Sequence, residues 1–278
     1  SAGSGLLGAG VCFVSGKVDV SGKSFCQGAG SFGTGIFVNS YGSGSSYNAD
    51  FFAQGAGMTS GLGIFKVNGE EVSVEGGLTV HDAREGLAFT SLCQGVGYGP
   101  RAVAGGGIGI AILDVSSSQV KSSYFAQGSG YWHGLGIFYN SGNGNYLQTR
   151  RYSQGAGIHT GIGVSYVSGN DNTTANWGVG PAYGWDFGTG IFFGYGNKNM
   201  YRADWGCVHG EINGRGIFSV SGNDLKLSLP DMASGTFRRN FPSYGIAIVK
   251  GKNIIARADS DRFVFGFPGI AGNNALSV

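Results

Sequence analysis

A block of about 27 residues recurs along most of this 278-residue chain, and glycine occupies fixed positions inside it. Each clear copy contains Gln-Gly-x-Gly, a short spacer, and Gly-x-Gly followed by an apolar pair. The structural repeat positions are Gln27, Gly28, Gly30, Gly33, Gly35, Gln54, Gly55, Gly57, Gly61, Gly63, Gln94, Gln127, Gly128, Gly130, Gly134, Gly136, Gln154, Gly155 and Gly157. A fixed period of this size is typical of a repeat architecture, in which each unit contacts mainly its neighbours.

The second glycine pair of the motif sets the length of each unit. It begins at Gly8, Gly33, Gly61, Gly107, Gly134, Gly161, Gly188 and Gly214, with steps of 25 to 28 residues and one step of 46. The long step predicts an insertion near residues 72–88. We expect the Gln-Gly-x-Gly half of the motif to be replaced by Trp177-Gly178-Val179-Gly180 in one later unit and by Trp205-Gly206-Cys207 in the next. The chain then divides into a glycine-rich repeat region of about eight units, residues 1–224, and a non-repeat β segment, residues 225–278, which is a cap or an intersubunit element.

Alternation of residue type predicts β-strands and no helix. Between Phe51 and Val67, one face carries glycines and the other carries bulkier side chains, which is the period of a strand. A helix would lose about 1 kcal/mol at each glycine. We therefore predict an all-β fold, a repetitive β-solenoid of stacked β-arch sheets, with a long antiparallel β-meander as the alternative. The solenoid is favoured because the glutamine recurs on one side of the glycine core, where stacked copies would form a hydrogen-bonded ladder.

The glycine stripe needs a physical reason, since glycine weakens a strand. We expect either close approach of another sheet or another chain's backbone to that face, or a bend that folds each unit into an arch. A bulky residue at Gly57 or Gly136 is therefore expected to disrupt packing more than alanine at Gly142.

Composition restricts the partners of the chain. Charged residues make up 12% of it, and 18 basic residues nearly balance 16 acidic ones. A charge-poor surface favours self-association and offers no field for nucleic acid. No stretch approaches the roughly 20 apolar residues of a membrane span. Because the sequence starts at Ser1-Ala2-Gly3 without Met, we expect a mature exported protein, located outside the cell or at its surface.

Two features concern covalent modification. The cysteines are Cys12, Cys26, Cys93 and Cys207. An even number in an exported chain permits disulfides, within or between subunits; four small buried hydrophobic residues are the other interpretation. Asn172-Thr173-Thr174 is an N-glycosylation sequon in a turn where a glycan could be attached.

Residues suited to catalysis or metal binding are sparse. His133 and His159 stand about one repeat apart, where stacking would bring them near each other, but they lack companions at metal-ligand spacing. The clustered or recurring carboxylates are Glu70-Glu71, Asp82 with Glu85, Asp259 with Asp261, and the turn residues Asp171 and Asp224. One carboxylate per turn is few against the six to eight oxygens that calcium takes. We predict a protein that is not an enzyme and has no cofactor or metal site.

The first repeat-like segment, from Leu6 to Phe13, has no lysine, proline or helix before it. Such an edge is expected to pair, either with the C-terminal region of the chain or with the next subunit. The repeats, over residues 5–220, resemble the glycine-rich β-repeat proteins of prokaryotic cell surfaces, and their composition is similar to the amyloid-like tubular sheath proteins of filamentous methanogenic archaea. This resemblance implies a structural subunit without catalysis. It would self-assemble into a sheath, filament or surface layer, with further copies of itself and other cell-envelope components as partners.

The alternative is a surface adhesin or carbohydrate-binding β-solenoid. The aromatic residues that would stack on sugar rings are Tyr131, Trp132, Trp177, Tyr183 and Trp185. Burial between sheets or at subunit contacts is the other interpretation of these side chains, and the one we favour.

Overall fold

The computed structural model describes residues 2–77, 91–101, 103–230, 232–236, 242–257 and 274–277. Over these residues the regular structure is β throughout, with no helix. The first strands are β1 (Gly5–Leu6), β2 (Ala9–Val14), β3 (Asp19–Cys26), β4 (Gly30–Ser31), β5 (Thr34–Asn39), β6 (Ser46–Ala53), β7 (Gly57–Met58), β8 (Leu62–Glu70), β9 (Ser73–Gly76), β10 (Ser91–Cys93) and β11 (Gly97–Tyr98).

The same order of long and short strands continues through the rest of the described chain. These strands are β12 (Ile108–Ser116), β13 (Gln119–Ser122), β14 (Tyr124–Ala126), β15 (Gly130–Tyr131), β16 (Leu135–Ser141), β17 (Tyr146–Thr149), β18 (Gly157–Ile158), β19 (Ile162–Ser168), β20 (Thr173–Val179), β21 (Gly184–Trp185), β22 (Thr189–Tyr195), β23 (Met200–Trp205), β24 (His209–Glu211), β25 (Arg215–Ser221), β26 (Lys226–Ser228), β27 (Ser234–Gly235), β28 (Tyr244–Lys250), β29 (Ile255–Arg257) and β30 (Asn274–Ser277).

The chain winds through three sheets, and the strand pairings between coils are parallel. The short-strand sheet has the order β1-β4-β7-β11-β15-β18-β21-β24-β27. The isoleucine sheet has the order β2-β5-β8-β12-β16-β19-β22-β25-β28-β30. The polar sheet contains β3, β6, β9, β13, β17, β20, β23, β26 and β29. The short strands β10 and β14 belong to the same sheet: β10 pairs with the end of β6, and β14 pairs with β10. This architecture confirms the β-solenoid and excludes the antiparallel meander.

Glycine is required where the short strand of a coil lies against the isoleucine strand. A Cβ atom on Gly30 would lie 2.1 Å from the carbonyl oxygen of Leu62 in the next coil. A Cβ on Gly136 would lie 2.0 Å from the carbonyl oxygen of Ser129 in the same coil. Two backbones of one chain therefore lie flush, and each unit is folded into an arch. The predicted close contact is correct, but the approaching backbone belongs to the chain itself.

The core contains a larger and a smaller hydrophobic cluster, together with a separate group of four small buried residues, Cys26, Ala49, Ala53 and Cys93. The larger one lies between the isoleucine and polar sheets and contains stacked columns of buried rings. Phe37 and Phe65 stack at 5.5 Å between ring centroids, and Phe192 and Phe218 stack at 5.3 Å. The smaller cluster includes Phe52. Both clusters continue from coil to coil because equivalent strands stack on one another.

The recurring glutamine turns the chain from the polar sheet into the short-strand sheet. Gln27, Gln54, Gln94, Gln127 and Gln154 have φ between 50° and 64° and are at most 1% exposed. The left-handed conformation costs about 1 kcal/mol per residue, and the amide side chain compensates by hydrogen bonding. Gln127 donates to the Gln94 side chain at 3.1 Å, and Gln154 donates to the Gln127 side chain at 3.2 Å. The predicted ladder is confirmed over these three coils.

In the later coils, other residues occupy the position of the glutamine. Gly157 pairs with Gly184, and Gly184 pairs with Gly210. Counting back three residues puts Pro181, and then Cys207, at the glutamine position. The predicted alignment on Trp177 and Trp205 is therefore wrong, because those Trp-Gly pairs belong to the end of the polar-sheet strand.

Register also locates the extra residues of the long unit. Ala49 pairs with Gly76 and Ala53 with Cys93, so four residues in one coil correspond to 17 in the next. A second expansion, between Tyr98 and Ile108, spans ten residues where the preceding coil has four. Residues 72–76 belong to the regular coil, and the predicted insertion from residue 78 onward lies outside the described residues. Past residue 225, strands β26 to β29 continue all three sheets.

Glycine substitutions test the flush contact. Gly136→Ala is expected to lower the free energy of unfolding by about 3 kcal/mol, because its methyl group would overlap a backbone that packing holds in place. Gly105→Ala is the matched control, since nothing lies within 4 Å of its Cβ position, and it should change stability by less than about 0.5 kcal/mol. Urea denaturation measures both. Equal midpoints for the two variants would contradict the contact.

Gly142 cannot serve as the tolerant site that the sequence suggested. Its φ is 113°, and a Cβ there would lie 2.1 Å from the carbonyl oxygen of Val115. The expectation of easy replacement at Gly142 is wrong because this turn is stacked as tightly as the strands.

Candidate functional site

The N-terminal end of the solenoid presents three strand edges. Strands β1, β2 and β3 are each the first strand on their side of a sheet, and no described residue pairs with their outer edges. Apolar side chains accompany these edges: Leu7 is 77% exposed and Phe13 is 72% exposed. Unpaired parallel edges of this length are templates for a further strand.

Gly8 lies at this open end and differs from its equivalents in one respect. A Cβ on Gly33 would lie 2.2 Å from the carbonyl oxygen of Gly8, and one on Gly134 would lie 2.2 Å from that of Gly97. Glycine at this position thus makes room for the preceding coil. A Cβ on Gly8 itself would meet only the Leu6 carbonyl oxygen, at an ordinary 3.8 Å. The described chain gives Gly8 no steric reason to be glycine, whereas a coil stacked on this end would.

The isoleucine face is the part of the outer surface of the isoleucine sheet that three columns of side chains cover. The central column is Val11, Ile36, Ile64, Ile110, Ile137, Val164, Ile191, Ile217 and Ile246. One side column is Ala9, Thr34, Leu62, Ile108, Leu135, Ile162, Thr189, Arg215 and Tyr244, and the other is Phe13, Val38, Lys66, Ile112, Tyr139, Tyr166, Phe193, Ser219 and Ile248. A fourth outward column, beside the turns, is mostly polar and contains Asn68, Asp114, Ser141, Ser168, Tyr195, Ser221 and Lys250.

The isoleucine face is large and almost uncharged. With strands about 4.8 Å apart and alternate residues about 6.7 Å apart, it measures about 40 Å along the axis and about 18 Å across. Lys66 and Arg215 are the charged residues of its three columns. Ile108 and Ile162 remain 43% and 44% exposed despite their stacked neighbours. Parallel sheets are normally covered on both faces, and an apolar patch of this size marks an interaction surface.

The outer surface of the polar sheet has the opposite character. Its outward side chains include Lys23, Asp50, Glu75, Lys121 and Arg202. The solenoid is therefore amphipathic in cross-section, with a charged side and an apolar side.

Two asparagine ladders hold the turns between the isoleucine and polar sheets. In the exposed ladder, the backbone N–H of Asn170 donates to the Asn143 side chain at 2.7 Å, and that of Asn197 donates to Asn170 at 2.8 Å. In the buried ladder, Asn145 donates to the side chain of Asn172 at 2.8 Å. The side-chain amides therefore form hydrogen bonds along the stack. In the described part of the chain, neither Asp171 nor Asp224 belongs to a group of three side chains that could hold a metal ion.

The sequon asparagine belongs to the buried ladder. Asn172 is 1% exposed, and its side-chain amide donates to the carbonyl oxygen of Gly142 at 3.0 Å. The expectation that this turn offers a glycan attachment point is wrong for the folded chain, because the nitrogen that would carry the sugar lies inside the stack.

The histidines stack close to one another but do not share a ligand geometry. His159 is buried and is hydrogen-bonded through Nδ1 to Asp186, whereas His133 is exposed and contacts the Thr160 hydroxyl at 2.7 Å. Across the described residues, no three His, Cys, Asp or Glu side chains converge on one point. Glu70 and Glu71 lie in an exposed turn; the other two carboxylate clusters fall outside the described part of the chain.

The predicted sugar-stacking aromatics fall into different environments. Tyr183 is buried and donates to Glu211 at 2.9 Å, and burial raises the pKa of its hydroxyl. Trp177 is exposed on another side, with the Arg202 guanidinium 4.4 Å from its ring centroid. Tyr131, Trp132 and Trp185 are half-buried at the corner between the short-strand and isoleucine sheets. These five side chains do not form one continuous platform.

The four cysteines form no disulfide. Cys26 and Cys93 both pair with Ala53, so they stand two strands, or about 9.6 Å, apart, beyond the reach of a disulfide. Burial raises the pKa of both thiols, which keeps them protonated and unreactive. Cys207 is also buried, and Cys12 is half-buried in edge strand β2. The interpretation as small hydrophobic residues fits the three buried thiols.

Comparison with models of known families, with curated proteins and with solved structures gives no match for this chain. Within the described ranges, no helix is long and apolar enough to cross a membrane.

The two asparagine ladders provide a matched pair of substitutions in one turn. Asn172→Ala removes buried hydrogen bonds and strands the backbone N–H of Asn145, so it should lower the free energy of unfolding by about 2–3 kcal/mol. Asn170→Ala removes an exposed acceptor that water can replace and should cost about 0.5–1 kcal/mol. Thermal or urea denaturation gives the comparison; a larger effect at Asn170 would refute the assignment of the buried ladder.

Proposed function

We propose that this chain is a structural subunit that self-assembles end to end, as the building block of an extracellular sheath, filament or surface layer. The observation that carries the proposal is the open N-terminal end, where three strand edges and Gly8 repeat the geometry with which the coils from Gly33 to Gly214 receive their predecessors; the last of the regular coils has Ser243 at this position. The occupant is the C-terminal end of a second copy of this chain.

The energetic argument follows from the repeat. Inside the solenoid, coil-to-coil contacts supply the ladder hydrogen bonds of three sheets and stack side chains in register. A second copy docked in the same register would supply the same set of contacts to Leu6, Val11 and Phe13, whose strands pair on one side within the described chain. Solenoids that stay monomeric cover such ends with polar capping units. The exposed apolar residues at this end have the opposite character.

The extracellular location is part of the same proposal. The resemblance of the repeats to prokaryotic surface proteins supports it, and so does the small number of charged residues, which favours close association. The expected disulfides give the proposal no support, because the described chain contains none.

A substitution at Gly8 tests the axial contact without touching the interior. In Gly8→Val the side chain would point off the open end, into the place where a preceding coil's carbonyl oxygen would lie. We expect purified wild-type chain to form polymers visible by electron microscopy and sedimenting rapidly, and Gly8→Val to lose at least about 90% of the sedimenting mass. Gly105→Val, on an open surface loop, is the matched control.

Circular dichroism and the denaturation midpoint establish whether Gly8→Val keeps the wild-type fold. If the folded variant polymerises like wild type, the axial contact does not involve the end of the solenoid at which Gly8 lies. If the wild-type chain stays monodisperse in concentrated solution, the structural-subunit function itself fails.

Carbohydrate binding is the second candidate. The rings of Tyr98 and Tyr131 stack at 5.3 Å, with Trp132 and the Arg101 guanidinium beside them at one corner of the solenoid. Half-exposed aromatic rings with adjacent donors suit sugar rings. A glycan array and isothermal titration with the Trp132→Ala variant would identify such binding. A stable, glycan-binding monomer would favour this candidate over assembly.

A further inference from the structure

We propose that the isoleucine face is a lateral interface on which a second copy of this chain packs sheet against sheet. This inference deepens the proposed structural function and rests on it. The axial contact joins solenoids end to end, and the isoleucine face would join them side to side.

The glycine stripe cannot provide the side-to-side contact. In each coil the glycine side of the isoleucine strand is already closed by the chain's own short strand, as at Gly63, where a Cβ would lie 2.2 Å from the carbonyl oxygen of Ala56. Close sheet packing through that stripe is therefore internal. Because side chains alternate along a strand, the outward side of the same strands is the isoleucine face.

The shape of the isoleucine face suits another sheet. β-Branched side chains form a central ridge, from Val11 to Ile246, with one residue per coil in constant register. In one flanking column, the Tyr139 and Tyr166 rings stack at 5.0 Å and form a second, shorter ridge. Parallel ridges separated by grooves let two such faces interdigitate at the usual distance of about 10 Å between packed sheets.

The area and the charge favour a second copy as the occupant. The isoleucine face offers roughly 700 Å² by the dimensions above, close to the about 800 Å² that each partner contributes to a standard interface. Two copies related by a two-fold axis would bring identical apolar columns together. Nucleic acid would need a positive field, and Lys66 and Arg215 are the face's charged residues. Axial polymerisation would extend the face by one solenoid length with each subunit.

The experiment separates lateral from axial association by working in the Gly8→Val background. With axial growth blocked, we expect a face-to-face dimer in analytical ultracentrifugation. Adding Ile137→Lys places a charge at the centre of the face and should raise the dimer dissociation constant at least about 100-fold, since an unpaired charge would be buried. Ile137→Thr, which keeps the β-branched shape, should weaken the dimer by a smaller factor and guards against a folding defect. Gln148→Lys, on the polar sheet of the same coil, should leave the dimer unchanged.

The outcomes distinguish the two levels of the proposal. If wild-type chain polymerises but Gly8→Val is monomeric at all concentrations, or its dimer survives Ile137→Lys, the lateral interface is overturned and the axial function stands. If wild type forms only dimers that Ile137→Lys dissociates, the lateral interface stands and end-to-end assembly fails. If the Gly8→Val chain binds phosphatidylcholine vesicles through Ile137 and does not dimerise, the face is a lipid surface and the proposed occupant is wrong.

Discussion

The flush contact between two backbones in every coil is the constraint on which the rest of this structure depends. Where the short strand meets the isoleucine strand, a Cβ would lie about 2 Å from a carbonyl oxygen, as at Gly30 and Gly136. Only glycine fits such a gap, so the glycine repeat follows directly from the geometry. Glycine costs strand stability, and the stacked rings in the two large hydrophobic clusters offset that cost. The two aromatic clusters and the hydrogen-bonded corners therefore stabilise the fold in which the two backbones lie in contact.

The same contact determines which surfaces are left for other molecules. Side chains on a strand alternate, so closing the glycine side turns the isoleucines outward. The buried glycine stripe and the exposed isoleucine face are two sides of one set of strands. The polar sheet faces the opposite way and carries the charges. This one internal backbone contact thus produces an amphipathic solenoid with a single apolar side.

Much of the fold could be predicted from the sequence because the spacing of the glycines and glutamines gives the period of the repeat. The all-β class, the solenoid and the glutamine ladder at Gln94, Gln127 and Gln154 follow from spacing and asymmetry alone. The misplaced Trp177 and Trp205 alignments show the limit: a Trp-Gly pair imitates the motif, whereas the true register is set by pairing of Gly184 and Gly210 with neighbouring coils. The amino-acid composition does not show which of these two alignments the chain adopts.

The candidate surfaces were harder to predict than the fold. From one strand, a glycine side and an isoleucine side are both consistent with burial, and only the three-dimensional closure of the arch decides between them. The turn asparagines pose the same problem, since Asn170 and Asn172 are two residues apart yet belong to an exposed and a buried ladder. At the corner before Gly55, Phe52 and Gln54 are also left-handed, although neither is the glycine or asparagine that sequence patterns associate with positive φ.

End-to-end and side-to-side contacts would reinforce each other in an assembly built from this chain. A face contact between two single solenoids has a fixed area, whereas two axial polymers that meet along their isoleucine faces share one such contact for every subunit. Multivalent contacts of this kind make the effective association much stronger than each contact alone. Modest axial pairing would therefore suffice to produce stable lateral sheets, and a weak face contact would suffice to bundle them. Both contacts rest on sheet pairing and apolar packing, the interactions that also hold the coils of one solenoid together.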